Sequence, residues 1–489
     1  MVKQKSIKKN FIMNALLTMS SFIFPLITFP YVSRILTAEG TGKVQFATSL
    51  ISYFTMFSQL GVPTYGIRVC ARVRDDKEKL SKTVQELFIL RFFTTAISYV
   101  ALFCLLFTVP RLQEERTLYL VVSWNIFFTF IGMEWLYKAL EQYTYITIRS
   151  VVFKFIALIA MFLLIHEKSD YVIYGGISIF AGSASNIFNF INVHRYIDLK
   201  PKKNYNIKQH IKSVMVFFAM SCATTIYTHL DTVMLGFMCT DTDVGYYSAA
   251  VKIKTILTSI VTSLGAVLLP RSSYYIQHGD FEKFRKITSK AFHFVIMSAT
   301  PLMLYFMLFA SYGIRFLCGS GYDGAIVPMI IIMPTLLLIG LTNIMGIQIL
   351  VPTGREKYVL YSEIAGAIVD VVINLLLIPT LKSSGAAIGT LIAEAVVLLV
   401  QYSVLKDTVL PILKEIKYST YFLALALATV ASVWTWRVSF GNFYTLVISA
   451  ICFFGVYAGV LLLKKEPIMT DSVQQIVKAI KFKRVRKVD

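Results

Sequence analysis

Acidic residues, and charged residues of any kind, are scarce in this chain. It has 27 Asp and Glu against 48 Lys and Arg, and charged residues fill only 15% of its 489 positions. An average soluble domain carries about 25% charged residues. With 56% hydrophobic residues and a mean hydropathy of +0.66, the composition excludes an ordinary soluble protein.

Motifs for catalysis and metal binding are also missing from the sequence. It has no GxxxxGK[ST] phosphate-binding loop, which excludes an ATP-driven pump subunit, and no HExxH or GxSxG segment. The six cysteines are scattered, without a CxxC pair or a histidine nearby at ligand spacing. We therefore expect neither an enzyme nor a bound cofactor or metal.

Long apolar runs fill most of the chain instead. About 20 apolar residues are enough for a helix to cross a bilayer, and lipid offers no partner for a free backbone N–H or C=O. We therefore predict an all-α integral membrane protein with fourteen transmembrane helices. The predicted spans are residues 10–36, 43–70, 84–109, 116–141, 145–165, 171–196, 210–238, 244–271, 287–311, 324–350, 356–381, 384–405, 415–437 and 441–463.

Lys and Arg residues are concentrated in alternate connectors between these spans. The two termini and the connectors that share their side hold 34 Lys and Arg, whereas the opposite connectors hold 7. This split predicts that both termini are cytoplasmic. It also explains the net charge of +21, because basic residues at the inner face are attracted by anionic head groups. We therefore expect membrane lipids, and no nucleic acid, as partners.

A weak internal repeat divides the chain. Residues 42–47 open the second span and residues 245–250 open the eighth, with Gly42 and Gly245 in matching positions. Parallel repeats of this kind form two lobes in many transporters. We predict an N-lobe of helices 1–6 (1–200), a pseudo-symmetric C-lobe of helices 7–12 (201–410), helices 13–14 (411–465) and a basic amphipathic cytoplasmic tail (466–489).

Several cations fall within or at the ends of the first eight spans. A charge at the bilayer centre costs about 2.5–3.5 kcal/mol, so each needs a reason. Arg binds phosphate through a planar fork of donors and Lys acts as a mobile point charge, which favours a site for a pyrophosphate. Neutralisation of nearby carboxylates and snorkelling to head groups are the alternatives. The cations are Arg34, Arg68, Arg91, Arg149, Lys252, Lys254 and Arg271.

Acidic and amide side chains in later spans form a second candidate site. Glu363, Asp370 and Asn374 follow one stripe of span eleven, and Glu394 in span twelve has a depth close to that of Asp370. These residues are predicted to bind H⁺ or Na⁺, and the alternative is hydrogen bonding to neighbouring spans. Asp231 is at the depth of Lys252 and Lys254, where an ion pair would act as packing or as a gate.

Several segments, in consistent order, resemble one family. They resemble the polysaccharide-transporter (Wzx-type) branch of the multidrug/oligosaccharidyl-lipid/polysaccharide exporter superfamily. The segments are FPYVSRILTAEGTGKVQFATSLISYF (29–54), LGVPTYGIRVCARVRDDKEKLS (60–81), EWLYKALEQYTYITIRSVVFK (134–154), YTHLDTVMLGFM (227–238), VGYYSAAVKIK (244–254), LLPRSSYY (268–275), ILVPTGREKY (349–358) and NLLLIPTLKSSGAAIGTLIAE (374–394).

The resemblance implies a flippase of the bacterial cytoplasmic membrane. Its substrate would be an undecaprenyl-pyrophosphate-linked oligosaccharide, moved from the inner to the outer leaflet by alternating access for capsule, exopolysaccharide, O-antigen or teichoic-acid synthesis. The membrane potential would assist transfer, and a polysaccharide polymerase and glycosyltransferases would be partners. The alternative is a cation-coupled drug exporter of the same superfamily, which would explain Glu363, Asp370 and Glu394 but not the buried cations.

Overall fold

The chain is helical in the computed structural model, which describes residues 7–202, 204–438 and 441–470; no β-strand occurs among them. From residue 471 onward, the predicted amphipathic tail lies outside the described residues. The α-helices are α1 (Ile7–Gln59), α2 (Val62–Arg72), α3 (Lys77–Thr108), α4 (Pro110–Gln113), α5 (Arg116–Gly132), α6 (Glu134–Ala139), α7 (Tyr143–Leu164), α8 (Tyr171–Ile179), α9 (Asn186–Asn192), α10 (Lys208–Met238), α11 (Asp241–Gln277), α12 (Phe281–Leu308), α13 (Ala310–Cys318), α14 (Ile326–Ile332), α15 (Thr335–Asn343), α16 (Lys357–Lys414), α17 (Tyr418–Val433) and α18 (Asn442–Leu463).

The predicted all-α membrane architecture is confirmed. Within the described residues, nine helical stretches are long and apolar enough to cross a membrane, or up to eleven if each bent pair is one span. Two of the stretches, Ile12–Arg72 and Lys357–Lys414, are 61 and 58 residues long, about twice or more what one crossing needs. All fourteen predicted spans coincide largely with helical residues, and the number fourteen stays a prediction.

Backbone breaks divide the long helices where the sequence predicts connectors. The helix α1 breaks at Thr37 (φ 60°, ψ −177°) and α16 breaks at Lys382 (φ 52°, ψ −128°). A positive φ is unusual for a residue with a side chain, and for β-branched Thr it is strained. These two residues therefore mark breaks in the helices within the predicted connectors 37–43 and 381–384.

The chain divides into two compact units, Met1–Ser248 and Ala249–Asp489. In the first unit, α1 packs against α3, α5, α7 and α10. In the second, buried residues of α12, α16, α17 and α18 form a continuous apolar core. The boundary falls within α11, and the predicted limits of the lobes at 200 and 410 stay predictions.

The two glycines of the weak repeat contact each other's helices. A Cβ on Gly42 would overlap the backbone of Asp241 and Gly245, and a Cβ on Gly245 would overlap the backbone of Ala38. The second half of α1 and the start of α11 therefore cross with backbones in contact. Only glycine permits so close an approach.

We expect Gly245→Ala to destabilise the protein by about 3 kcal/mol, because an overpacked core costs that order and a backbone cannot move aside like a side chain. Thermal unfolding of the purified protein measures this change. Gly455→Ala is the matched control, since nothing lies within 4 Å of a Cβ built there. Equal stability of the two variants would contradict the close crossing.

Candidate substrate and ion-coupling sites

The predicted site residues are distributed over both units. The first unit contains Arg34, Arg68, Arg91, Arg149 and Asp231, and the second contains Lys252, Lys254, Arg271, Glu363, Asp370, Asn374 and Glu394.

Arg91 is the most deeply buried of the predicted cations. Only 1% of it is exposed, and its Nη1 and Nη2 donate to the carbonyl oxygens of Phe130 (3.3 Å) and Thr129 (3.0 Å). These carbonyls lie at the end of α5, where Met133 turns the chain with φ 39°. Helix-terminal carbonyls lack intrahelical donors, and a cation there also suits the helix dipole. Arg91 therefore caps a broken helix.

Side chains of α7 and α9 add further polar contacts near the break after α5. Asn189 donates to the Gly132 carbonyl at 2.7 Å. Arg149, which is 8% exposed, donates to Asn186 Oδ1 at 2.9 Å and lies 3.8 Å from Glu134 Oε2. The position of Arg149 near Glu134 therefore agrees with the alternative given above, that the cation neutralises a nearby carboxylate.

The remaining predicted cations are more accessible. Arg34, Arg68 and Arg271 are exposed, and Lys252 and Lys254 are half-buried. Arg34 donates to the carbonyl of Pro30 at 2.6 Å, one turn earlier in its own helix. These five side chains are therefore accessible enough to contact an anion.

Asp231 has a hydroxyl partner. Its carboxylate is 6% exposed and accepts a hydrogen bond from the Tyr247 hydroxyl. Its predicted pairing with Lys252 or Lys254 stays a prediction.

In the second unit, the two halves of α16 bring part of the acidic stripe together. Asp370, Asn374 and Glu394 are 2%, 0% and 5% exposed. A Cβ built on Gly389 would approach both Asn374 Oδ1 and Asp370 Oδ1, so this glycine gives the two side chains their space.

A hydrogen bond farther along the same helices fixes their register. Gln401 donates to the Ser362 hydroxyl at 3.0 Å. With the two halves of α16 antiparallel, this hydrogen bond and the approach of Gly389 to Asn374 together place Glu394 at the level of Asp370. Glu363 lies seven residues before Asp370, about 10 Å along the axis. The structure therefore places Glu394 level with Asp370, Asn374 one turn beyond them, and Glu363 two turns away on the other side.

One buried network was not predicted from the sequence. Glu86, which is 1% exposed, accepts from His210 Nε2 (2.8 Å), Gln209 Nε2 (3.0 Å) and the Asn206 N–H (2.7 Å). The Tyr65 hydroxyl lies 2.8 Å from His210 Nδ1. The network ties α2, α3 and the start of α10. A carboxylate within an apolar run, such as Glu86, indicates a buried polar partner. The sequence does not identify that partner, His210, because it is 124 residues away.

Ion pairs at connectors predicted to lie outside were also missed. Arg111 Nη2 lies 2.5 Å from Asp241, and Lys43 lies 2.8 Å from Glu115. Burial lowers the pKa of Arg111, but Asp241 and Glu114 outweigh this effect and hold it above its usual value. These pairs join the connectors 37–43, 110–116 and 239–243 within the first unit.

We expect Arg91→Met to destabilise the protein by about 3 kcal/mol, because it leaves the buried carbonyl of Phe130 and the half-buried carbonyl of Thr129 without donors. Arg68→Met, which removes an exposed cation, is the matched control and should change stability little. Thermal unfolding of the purified variants measures the difference. An Arg91→Met protein with the parent's stability would contradict the capping role.

Comparison with known proteins agrees with this architecture. Residues 7–276, more than half of the chain, match the polysaccharide biosynthesis protein family, and residues 217–376 match the MatE family. A candidate O-antigen transporter of Escherichia coli (strain K12) is 25% identical over 398 residues, covering 80% of this chain and 95% of the relative. One of Shigella dysenteriae is 24% identical over 413 residues, covering 82% and 100%.

Two solved structures share the fold. The lipid II flippase MurJ in an inward closed conformation superposes with a TM-score of 0.72 at 15% identity, covering 94% of this chain and 100% of its own. An inward-facing multidrug resistance MATE family transporter of the MOP superfamily gives a TM-score of 0.60 at 14% identity, covering 83% and 99%. The fold is that of multi-pass membrane transporters, and the chain belongs to the polysaccharide biosynthesis protein family.

Proposed function

We propose that this protein is a flippase that moves an undecaprenyl-pyrophosphate-linked oligosaccharide from the inner to the outer leaflet. The observation that carries the proposal is the match to two candidate O-antigen transporters along 95% and 100% of their length. The family match and the fold shared with a lipid II flippase support it. The product would enter synthesis of a surface polysaccharide.

The accessible cations suit the charged part of such a substrate. A pyrophosphate diester carries about two negative charges, which Arg binds through its planar fork and Lys as a mobile partner. Arg34, Arg68, Lys252, Lys254 and Arg271 are exposed or half-buried, and we assign the head group to them. Arg91 and Arg149 hold up the helix break and act on the substrate only through it.

The membrane potential favours this transfer. Moving a negative charge outward across an inside-negative membrane gains about 2.3 kcal/mol per charge per 100 mV. The group of Asp370, Asn374 and Glu394 would bind H⁺ or Na⁺ and couple its influx to the return of the empty carrier. Oxygen ligands of this kind bind hard cations, and a buried carboxylate of this kind also accepts a proton.

The ion pairs between the outer connectors, which the sequence did not predict, would hold the outer end of the transporter closed. Arg111–Asp241 and Lys43–Glu115 hold three outer connectors together, and the Gly42–Gly245 crossing lies beside them. An outward-open state would break the Arg111–Asp241 pair and part the crossing, as alternating access requires, whereas Lys43–Glu115 lies within helices 1–6 and would persist.

The excess of Lys and Arg in alternate connectors supports an orientation with both termini inside, and the relatives of Escherichia coli and Shigella dysenteriae support a bacterial cytoplasmic membrane. A polymerase and glycosyltransferases of the same pathway are the proposed partners. We assign no catalytic role to the chain.

A leaflet-resolved assay tests the function. In a strain that lacks this gene, lipid-linked repeat units should accumulate in the inner leaflet, and the intact gene should restore their export. The MatE match favours drug export as the second candidate. Normal repeat-unit distribution together with increased sensitivity to cationic drugs would select that function and contradict ours.

We expect Lys252→Gln with Lys254→Gln to lower repeat-unit export about tenfold or more, because charge-assisted bonds to the head group are lost. Lys357→Gln with Lys406→Gln removes the same charge from exposed inner-face positions and should export normally. Membrane content of each variant is measured alongside. Full export by the Lys252/Lys254 variant at equal abundance would contradict the cation site.

We expect Asp370→Asn to abolish the acceleration of flipping by an imposed H⁺ or Na⁺ gradient in proteoliposomes. Glu363→Gln, two turns away, should keep the acceleration and thereby confine the ion site to the level of Asp370. A gradient response that survives Asp370→Asn would exclude this ion site.

A further inference from the structure

A basic pocket in the second unit has no role in the proposed transport. It has a cavity volume of about 740 Å³ and lies where α12 begins, beside the end of α16 and the residues that follow α18. Such a volume lies in the range of small-molecule sites. The pocket is at the end of the helices predicted to face the cytoplasm.

Positive charge dominates the mouth of the pocket. Four cations line it, Lys283, Arg285, Lys286 and Lys290, against two carboxylates, Glu282 and Glu415. Lys283 pairs with Asp280 at 2.6 Å and Arg285 pairs with Glu415 at 2.7 Å. Lys286 has no ion pair within 4.0 Å among the described residues. The net charge at the mouth therefore attracts an anion.

A hydroxyl and an imidazole extend the wall inward. Ser289 and His293 also line the pocket and are half-buried, and His293 lies two helical turns below Lys286, about 10 Å along the axis. His293 Nδ1 is buried without a hydrogen-bond partner among the described residues. The carboxylate oxygen Glu466 Oε1 lies 3.7 Å from His293 Nδ1.

Glu466 is occupied elsewhere. It is 5% exposed, is absent from the pocket lining and accepts from the Tyr421 hydroxyl (3.0 Å) and the Met469 N–H (2.7 Å). Burial raises the pKa of the Glu466 carboxyl, but the nearby His293 and the hydrogen bonds from Met469 and Tyr421 outweigh burial and keep this pKa below its usual value. The pocket thus combines cations at its mouth with a hydroxyl and an imidazole at its base.

The helix that follows the Glu415 end of α16 exposes aromatic side chains. The first turns of α17, which begins three residues after Glu415, expose Tyr418 (50%) and Phe422 (76%). Exposed aromatic side chains at the predicted cytoplasmic end of a span are typical of the head-group region. Basic pockets between the cytoplasmic ends of membrane helices suit phosphate head groups.

We propose that this pocket binds the phosphate group of an anionic phospholipid of the inner leaflet. The phosphate lies among Lys286, Lys290 and Ser289, and His293 donates to the glycerol or phosphate oxygens below. The bound lipid joins α12 to the end of α16 and to the segment after α18, and so fixes this end of the unit.

Lipid binding to the full-length protein in neutral detergent tests the proposal. Phosphatidylglycerol is titrated and bound lipid is counted by native mass spectrometry. We expect Lys286→Gln with Lys290→Gln to weaken binding about 30-fold, the factor for two lysines at an anionic head group. Lys286→Arg with Lys290→Arg should retain binding, because the charges are kept.

Two controls distinguish binding in the pocket from a general effect of net charge, and a lipid phosphate from free phosphate. Lys357→Gln with Lys406→Gln lowers the net charge equally outside the pocket and should bind phosphatidylglycerol like the parent protein. Phosphatidylcholine and inorganic phosphate are titrated in parallel, and we expect neither to compete below tenfold excess. Equal phosphatidylglycerol affinity of the pocket variant and its control overturns the site. Competition by inorganic phosphate at equal concentration rejects the lipid as its source.

Discussion

The structure depends on one constraint: inside a bilayer, every backbone N–H and C=O must find its partner within the protein. Helices meet this constraint along their length but not where they break. The break after α5 shows how the chain solves the problem, because Arg91 and Asn189 supply donors to the carbonyls of Thr129, Phe130 and Gly132. At this break, polar residues within the spans therefore allow the helix to bend.

This constraint separates the cations of the chain into two groups. Arg91 and Arg149 are buried and donate from their Nη atoms to protein oxygens, so substitution acts on the fold before it acts on a substrate. Arg34 and Arg271 are exposed and Lys252 is half-buried, so these side chains are accessible, and we propose that they contact the phosphate. A polyanionic head group needs cations of the second kind, because it must be released as well as bound.

Features with a local signal were predictable from the sequence. Apolar length gave the spans, and the connectors at Thr37 and Lys382 coincide with breaks in otherwise continuous helices. Gly42 and Gly245 were recognised as a repeat, but their mutual contact required the structure. The shared depth of Asp370 and Glu394 followed from helix length and an antiparallel turn. The role of Arg91 could not follow, because Met133 gives no sequence sign that it ends a helix. The pairing of Glu86 with His210 joins residues too distant in sequence for any periodicity to reveal.

The central claim is that this chain by itself carries a lipid-linked oligosaccharide across a bilayer. The most direct measurement uses the purified protein in proteoliposomes that contain a labelled undecaprenyl-pyrophosphate oligosaccharide in both leaflets, with a sugar-cleaving enzyme outside. We expect cleavage of about half of the label in empty vesicles and of nearly all of it in vesicles with the protein. Cleavage that stops at half while the protein is folded and inserted would contradict the account.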